Sequence, residues 1–226
     1  PYNLGNLDIA LGRPAEAERQ YRRALAIDDQ LDMARANLAT LVAGQGRLDE
    51  AERLLREALA RQPRDAGIAF NLGLLVAEAG RTDEAERLLR QALRADPRLA
   101  PAAYNLAVLE GARRPAEAVR LARQAATLQP EVPRYAWTLA YYQAASGDLR
   151  GAAETLEALL RAHPEHGDAY GLLAEVYSRM GRAGEARELA RRLGVRHLEV
   201  RSREAEDARY LANPVDRCYY CKSELY

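Results

Sequence analysis

Leu4, Leu38, Leu72 and Leu106 stand 34 residues apart, Leu139 follows after 33 and Leu173 after 34. A period of this length restricts the fold more than any other feature of the chain. It requires one short supersecondary unit, too small to bury its own apolar face, stacked on copies of itself. Ala17, Ala51, Ala85, Ala118, Ala152 and Ala186 keep the same rhythm, as do Pro63, Pro97, Pro130 and Pro164. Gly12, Gly46, Gly80, Gly147 and Gly181 mark a turn midway through each unit. One residue is missing between Ala85 and Ala118, in the stretch GARRPAE, where that glycine should fall. A shorter helix–helix turn is expected there.

Each unit reads as helix, glycine turn, helix, proline break. In AGIAFNLGLLVAEAGRTDEAERLLRQALRADP the apolar residues recur at three- and four-residue steps on both sides of Gly80, the spacing of one helical face. Proline lacks the backbone donor and disfavours helix in the residue before it, so each second helix stops there. Small alanines at the packing positions of the second helix let neighbours approach closely. The other faces carry Glu-then-Arg pairs four apart, such as Glu52–Arg56 and Glu86–Arg90; at about 0.3 kcal/mol each they solubilise more than they stabilise.

The stretches YNLGNLDIALGRPAEAERQYRRALAIDD and FNLGLLVAEAGRTDEAERLLRQALRADP resemble the tetratricopeptide repeat (TPR) family in their N-L-G, G-x-x-x-E-A, A-L and D-P positions. The large aromatic that often opens the first helix of that repeat is mostly shifted or absent. The resemblance covers residues 1–182 and implies an all-α fold: a right-handed superhelical solenoid of about six helix pairs. The units are expected near residues 1–31, 32–65, 66–99, 100–132, 133–166 and 167–193.

Composition narrows the partners. Lys+Arg and Asp+Glu number 33 each, a balance that argues against phosphate-dominated nucleic-acid binding and against an anionic membrane surface. No apolar run approaches the length of a membrane span. Two cysteines make no disulfide framework, and C-x-x-C suits a reducing compartment; the expected location is the cytoplasm of a bacterium or archaeon. The chain opens on Pro1 rather than Met, so a longer parent and a lost leader both stay open. Catalytic signatures are lacking. The carboxylates fall on outer helical faces, and there is no G-x-G-x-x-G or G-x-x-x-x-G-K-[ST] phosphate cradle. His163 and His166 flank a proline that spoils the H-x-x-H metal geometry, and both are expected at the surface. The repeats are therefore expected to be non-enzymatic and to need no cofactor.

The TPR resemblance implies a concave groove, lined by the first helix of each pair, that holds a peptide or a partner protein. Asn3, Asn37, Asn71 and Asn105 directly precede the first four leucines of the row. An amide donates and accepts, so such a row can pair with a peptide main chain whatever its side chains, at roughly 0.5–1.5 kcal/mol for each bond. It resembles the asparagine ladder in the TPR superhelix of O-GlcNAc transferases, and it stops at Thr138 and Leu172. Asparagine is also simply common at this position of the repeat. Tyr2, Phe70, Tyr104 and Trp137 occupy the preceding position of their units, Tyr141 stands one turn on, and Ala36 breaks the row. These rings either line an apolar groove centred on units three to five or pack between neighbouring helices.

The rhythm ends in the sixth unit. Leu193-Gly194 reads as a helix stop, Val195 to Val200 alternates like a short strand, and the residues after Pro214 read as helical. From about Glu185, the stretch EARELARRLGVRHLEVRSREAEDARYLANPVDRCYYCKSELY resembles an interior piece of the LarE-type ATP-dependent sacrificial sulfur transferases. That family belongs to the PP-loop ATP-pyrophosphatases and serves synthesis of the nickel-pincer cofactor. Leu193-Gly194, Asn213-Pro214, Asp216-Arg217-Cys218-Tyr219 and Cys221-Lys222 carry the likeness. Residues 183–226 would be a partial segment of it, making a TPR-fused, incomplete sulfur transferase the alternative function. The Ser-Gly-Gly-x-Asp-Ser ATP loop that the resemblance implies is absent, its place taken by repeat helices. In that family the C-x-x-C pair and a later cysteine are held to bind an iron–sulfur cluster. Cys218 and Cys221 would supply half of such a four-ligand site. They either begin a region whose remainder is elsewhere or was misjoined, form a half site completed by a second chain, or are inert.

Overall fold

The computed structural model describes residues 1–192. Twelve α-helices are found among them: α1 (Tyr2–Ala10), α2 (Pro14–Ile27), α3 (Asp32–Gly44), α4 (Leu48–Arg61), α5 (Ala66–Glu78), α6 (Thr82–Ala95), α7 (Ala100–Glu110), α8 (Pro115–Leu128), α9 (Pro133–Ala145), α10 (Leu149–Ala162), α11 (Gly167–Arg179) and α12 (Ala183–Arg192). The all-α architecture of six helix hairpins is as the period implies. No helix among the described residues is long and apolar enough to cross a membrane. The expected strand over 195–200 and the helix after Pro214 lie outside the described residues, as do Cys218 and Cys221.

The chain divides into two compact units, residues 1–102 and the part from Ala103 on. In the first, α1 and α2, α3 and α4, and α5 and α6 form hairpins, and α2 packs on α3 as α4 packs on α5. In the second, α8 packs on α9 and α10 on α11. The repeated leucines account for the stacking: Leu38 and Leu72 are 1% exposed, Leu139 6% and Leu173 3%, while Leu4, on the first helix, is 53% exposed. Ala51, Ala85, Ala118, Ala152 and Ala186 are all fully buried, because the approach of two helix backbones leaves room only for a methyl group.

The turn inside each hairpin is chemically uniform. Gly12, Gly46, Gly80, Gly147 and Gly181 hold φ between 68° and 87°, the left-handed region where a β-carbon is disfavoured. The residue after each glycine donates its N–H back across the turn, as in Arg81 to the Val76 carbonyl at 2.9 Å, closing the helix as a Schellman cap. The unit that lacks this glycine differs from the expectation. Its inter-helix turn, residues 111–114, is longer than the turn at 79–81. The missing residue is taken from helix α7 instead, which has 11 residues where α5 has 13. No residue of this turn takes positive φ, and the chain leaves the helix early, through hydrogen bonds from Arg113 and Arg114 to the Glu110 carbonyl at 2.9 and 2.7 Å.

The expected Glu–Arg pairs form, with Arg56 Nη2 2.7 Å from Glu52 and Arg90 Nε 3.1 Å from Glu86. The structure adds a second partner from the next repeat. Arg22 reaches Glu50 and Arg47 reaches Glu18, each at 2.7 Å. One repeat on, Arg56 reaches Glu84 at 2.5 Å and Arg81 reaches Glu52 at 2.7 Å. Alternating charges thus lace the second helices of neighbouring repeats together. Arg81 holds the Glu52 carboxyl below its usual 4.5, and Arg56 does the same for Glu84. A carboxylate with a depressed folded-state pKa stabilises the fold above its unfolded value and loses that contribution as pH falls through the folded one. The melting temperature of the wild type is therefore expected to decline as pH drops below 4.5. Arg56→Ala should lose about 0.2–1 kcal/mol at neutral pH, and less in high salt. Thermal melts in low and high salt check both.

Candidate functional site

In the second unit, α9 carries aromatic side chains on two faces, Trp137 and Tyr141 on one and Tyr135 and Tyr142 on another, and Tyr104 of α7 meets Tyr135. Trp137 and Tyr141, one helical turn apart, stack with ring centroids 5.7 Å apart and planes 12° apart. Tyr142 meets Tyr141 edge-on at 5.3 Å, and Tyr104 lies 5.0 Å from Tyr135. The Arg134 guanidinium sits 5.3 Å from the centroids of both Tyr104 and Tyr135, within cation–π range.

Burial separates two layers. Tyr135 and Tyr142 are 1% and 6% exposed, Tyr142 lying against Tyr141 and Tyr135 against Tyr104. Tyr104, Trp137 and Tyr141 are half-buried and present ring surface. Local sequence explains the depth. Gly111, in the turn that lacks its regular glycine, leaves the space that Tyr142 fills; a β-carbon there would stand 2.5 Å from the Tyr142 hydroxyl. Trp137 packs its inner edge on the core that includes Ala140, Leu156, Ala169 and Leu173. Its indole Nε1–H is shielded from water and has no acceptor, a state that costs about 1–3 kcal/mol for an unsatisfied buried donor.

In the first unit the predicted residues are used differently. Tyr2 is half-buried 6.2 Å from Tyr21. The Asn6 carbonyl oxygen accepts from the Tyr21 hydroxyl at 2.8 Å and from the Asn37 amide at 3.0 Å. Asn37 is thus tied to the neighbouring repeat, with part of its amide committed to the fold. Asn3 is exposed. Asn71 and Phe70 are half-buried on α5, and the Asn71 amide makes no hydrogen bond among the described residues. Asn105 is half-buried on α7.

The histidines differ from their expected exposed state, since both are half-buried at the proline break. His166 caps α11, its Nδ1 accepting from the Ala169 N–H at 3.3 Å. Among the described residues, no group of three or more His, Cys, Asp or Glu side chains gathers in metal-binding fashion. Four participants escaped the periodic reading, Tyr142 against Tyr141 among them. Asn6 stands one turn after Asn3, a signal available in sequence. Tyr135 takes the buried position held elsewhere by Ala34, Ile68, Ala102 and Ala169, and only packing shows that Tyr104 and Arg134 meet it.

Residues 2–27, 36–100 and 143–197 match family profiles of the tetratricopeptide repeat. The last of these runs past Glu185, and residues 185–192 lie in α12, the second helix of the sixth hairpin. No curated protein matches the chain in sequence. Among solved structures, the chain is similar to YrrB, described as a TPR protein with an unusual peptide-binding site. The TM-score is 0.70 at 20% identity, over 76% of this chain and 90% of that one. It is also similar to pilF of Pseudomonas aeruginosa, with a TM-score of 0.74 at 22% identity over 85% of this chain and 86% of that one. A tetratricopeptide repeat protein from Parabacteroides merdae aligns with a TM-score of 0.65 at 19% identity, over 85% of this chain and 77% of that one.

Proposed function

Because the chain is built on tetratricopeptide repeats, we propose that it is a non-catalytic interaction scaffold that binds an extended peptide segment of a partner protein. The contact surface is the Trp137–Tyr141 face of α9. The observation that carries this reading is the half-buried Trp137–Tyr141 stack. Rings packed against buried neighbours expose apolar area at little entropic cost, which is the character of interface hot spots. Asn71 and Asn3 offer main-chain pairing in the first unit. Repeats of this kind bind without altering their ligand, and the chain holds no phosphate cradle for the alternative ATP-dependent chemistry.

Trp137 is the sole tryptophan, so its emission reports on this surface directly. Peptides selected by display on the immobilised protein are expected to shift or quench that emission, and Tyr141→Ala should weaken them by at least about tenfold, ~1.4 kcal/mol. Selected peptides that leave the emission unchanged and bind Tyr141→Ala as well as wild type would sink the reading.

A further inference from the structure

Between α8 and α10 the charge lacing of the second helices fails. Arg22, Arg56 and Arg90 each hold a glutamate four residues earlier, at Glu18, Glu52 and Glu86. Arg22 and Arg56 also hold one on the following second helix, at Glu50 and Glu84. In the same register α8 carries Arg123, but the earlier position is Val119 and the following one is Gly151. The arginine of Arg47 and Arg81 is replaced there by Asp148. Arg123 therefore has no ion-pair partner among the described residues, alone of the four arginines in this row.

Two more side chains are cut back at the same place. Ala126 stands where the other repeats have Leu25, Leu59, Leu93 and Leu160, and Ala158 stands where the two preceding repeats have Gln91 and Gln124. Gln91 donates to the Pro63 carbonyl at 2.8 Å, a tie that Ala158 cannot make to the corresponding Pro130. The result is a cleft of about 730 Å³ between α8 and α10, lined by Arg123, Ala126, Pro130, Ala136, Gln143 and Ala158 among others. Ala136 and Gln143 belong to a different face of α9 from Trp137 and Tyr141, since successive residues turn by about 100°. The remaining charges at the rim are engaged. Arg150 holds Glu154 at 3.0 Å, Asp148 accepts the Gly151 N–H at 2.9 Å, and His163 lies 3.5 Å from Glu165.

We infer that this cleft is a second docking site, distinct from the aromatic surface, and that it takes an acidic peptide segment of a partner protein. What the junction has lost defines the occupant. It lacks a carboxylate for Arg123, an N–H donor for the Pro130 carbonyl, and an aliphatic group over Ala126 and Ala136. A free anion supplies only the first. A peptide carrying glutamate beside leucine supplies all three, and the guanidinium fork favours a carboxylate geometrically.

The test uses fluorescence anisotropy of the full chain with a fluorescein-labelled, end-capped peptide EELLEELL and its counterpart QQLLQQLL. The acidic peptide is expected to bind without altering Trp137 emission. Binding should weaken at least about tenfold with QQLLQQLL, with Arg123→Ala, and with the double variant Ala126→Leu/Ala158→Gln. That double variant restores the side chains of the other repeats, so its melting curve should stay at or above wild type. The inference is overturned if the acidic peptide fails to bind, if either variant binds it as wild type does, or if the glutamine peptide binds equally. A Trp137 emission shift on binding would place the peptide on the aromatic surface and overturn it as well. So would Arg123-dependent dimerisation of the free protein in sedimentation velocity, which would make the occupant a second copy of the chain.

Discussion

Arg35→Ala is expected to destabilise the protein by about 3–5 kcal/mol, the typical loss when one member of a buried ion pair is removed. Arg35 is 3% exposed and Asp32 5%. The guanidinium donates to Asp32 Oδ1 at 2.8 Å and to the Asp29 carboxylate at 2.6 Å. Gln62 donates to the other oxygen of Asp32 at 3.0 Å, and Arg61 pairs with Asp29 from the next helix at 2.7 Å. Truncating Arg35 leaves Asp32 buried with the Gln62 amide and, at 3.9 Å, the Arg61 guanidinium as its remaining partners. The cost is desolvation that is no longer compensated, so it should far exceed that of any rung in the surface lacing. Urea unfolding followed by circular dichroism measures it. The companion Arg35→Met/Asp32→Leu should recover most of the loss, because apolar replacement of a whole buried pair is often neutral. A single-variant loss within that of Arg56→Ala would show that the cluster contributes no more than surface charge.

Gly5→Ala is expected to destabilise by about 1–3 kcal/mol through overpacking, although alanine is the better helix former by roughly 0.8–1 kcal/mol. The added β-carbon would stand 2.5 Å from Cε1 and 2.7 Å from Cδ1 of Tyr21. The ring cannot swing away freely, since Tyr21 is 2% exposed and its hydroxyl is bonded to Asn6 at 2.8 Å. Two other repeats show the alternative solution. Ala39 and Ala140 occupy the register of Gly5 where the partner helix offers Leu55 and Leu156 rather than tyrosine. In a Tyr21→Leu background, the same Gly5→Ala change should become neutral or stabilising. A double-mutant cycle by thermal or urea melts reads this coupling directly. Additive losses across the four proteins would mean that the ring and the glycine are energetically independent.

Both predictions concern residues that the period assigns to ordinary positions. The register predicts a small residue at Gly5 and a packing residue at Tyr21, but not that the two must be exchanged together. It is silent on Arg35, which occupies the register of Ala69 and Ala136. The same holds at the candidate surfaces. Trp137 and Tyr141 could be named from spacing, whereas the Tyr142 ring against Tyr141 depends on space left by Gly111. The half-use of Asn37 depends on Asn6 approaching from another repeat. The unpaired state of Arg123 is written in the register, at Val119 and Gly151, but it has meaning only once the neighbouring helix is known to face it.

The sequence by itself determined the helices, their pairing into hairpins, the glycine turns and the leucine and alanine positions that stack them. These follow from contacts between residues close along the chain, and a repeated pattern states them several times over. Tertiary structure alone decided where α7 gives up its missing residue, which polar side chains are consumed by the fold, and where the lacing of charges opens into a cleft. Each of these depends on which side chain arrives from the adjoining repeat, roughly thirty residues away, and a local pattern carries no record of a partner that is missing.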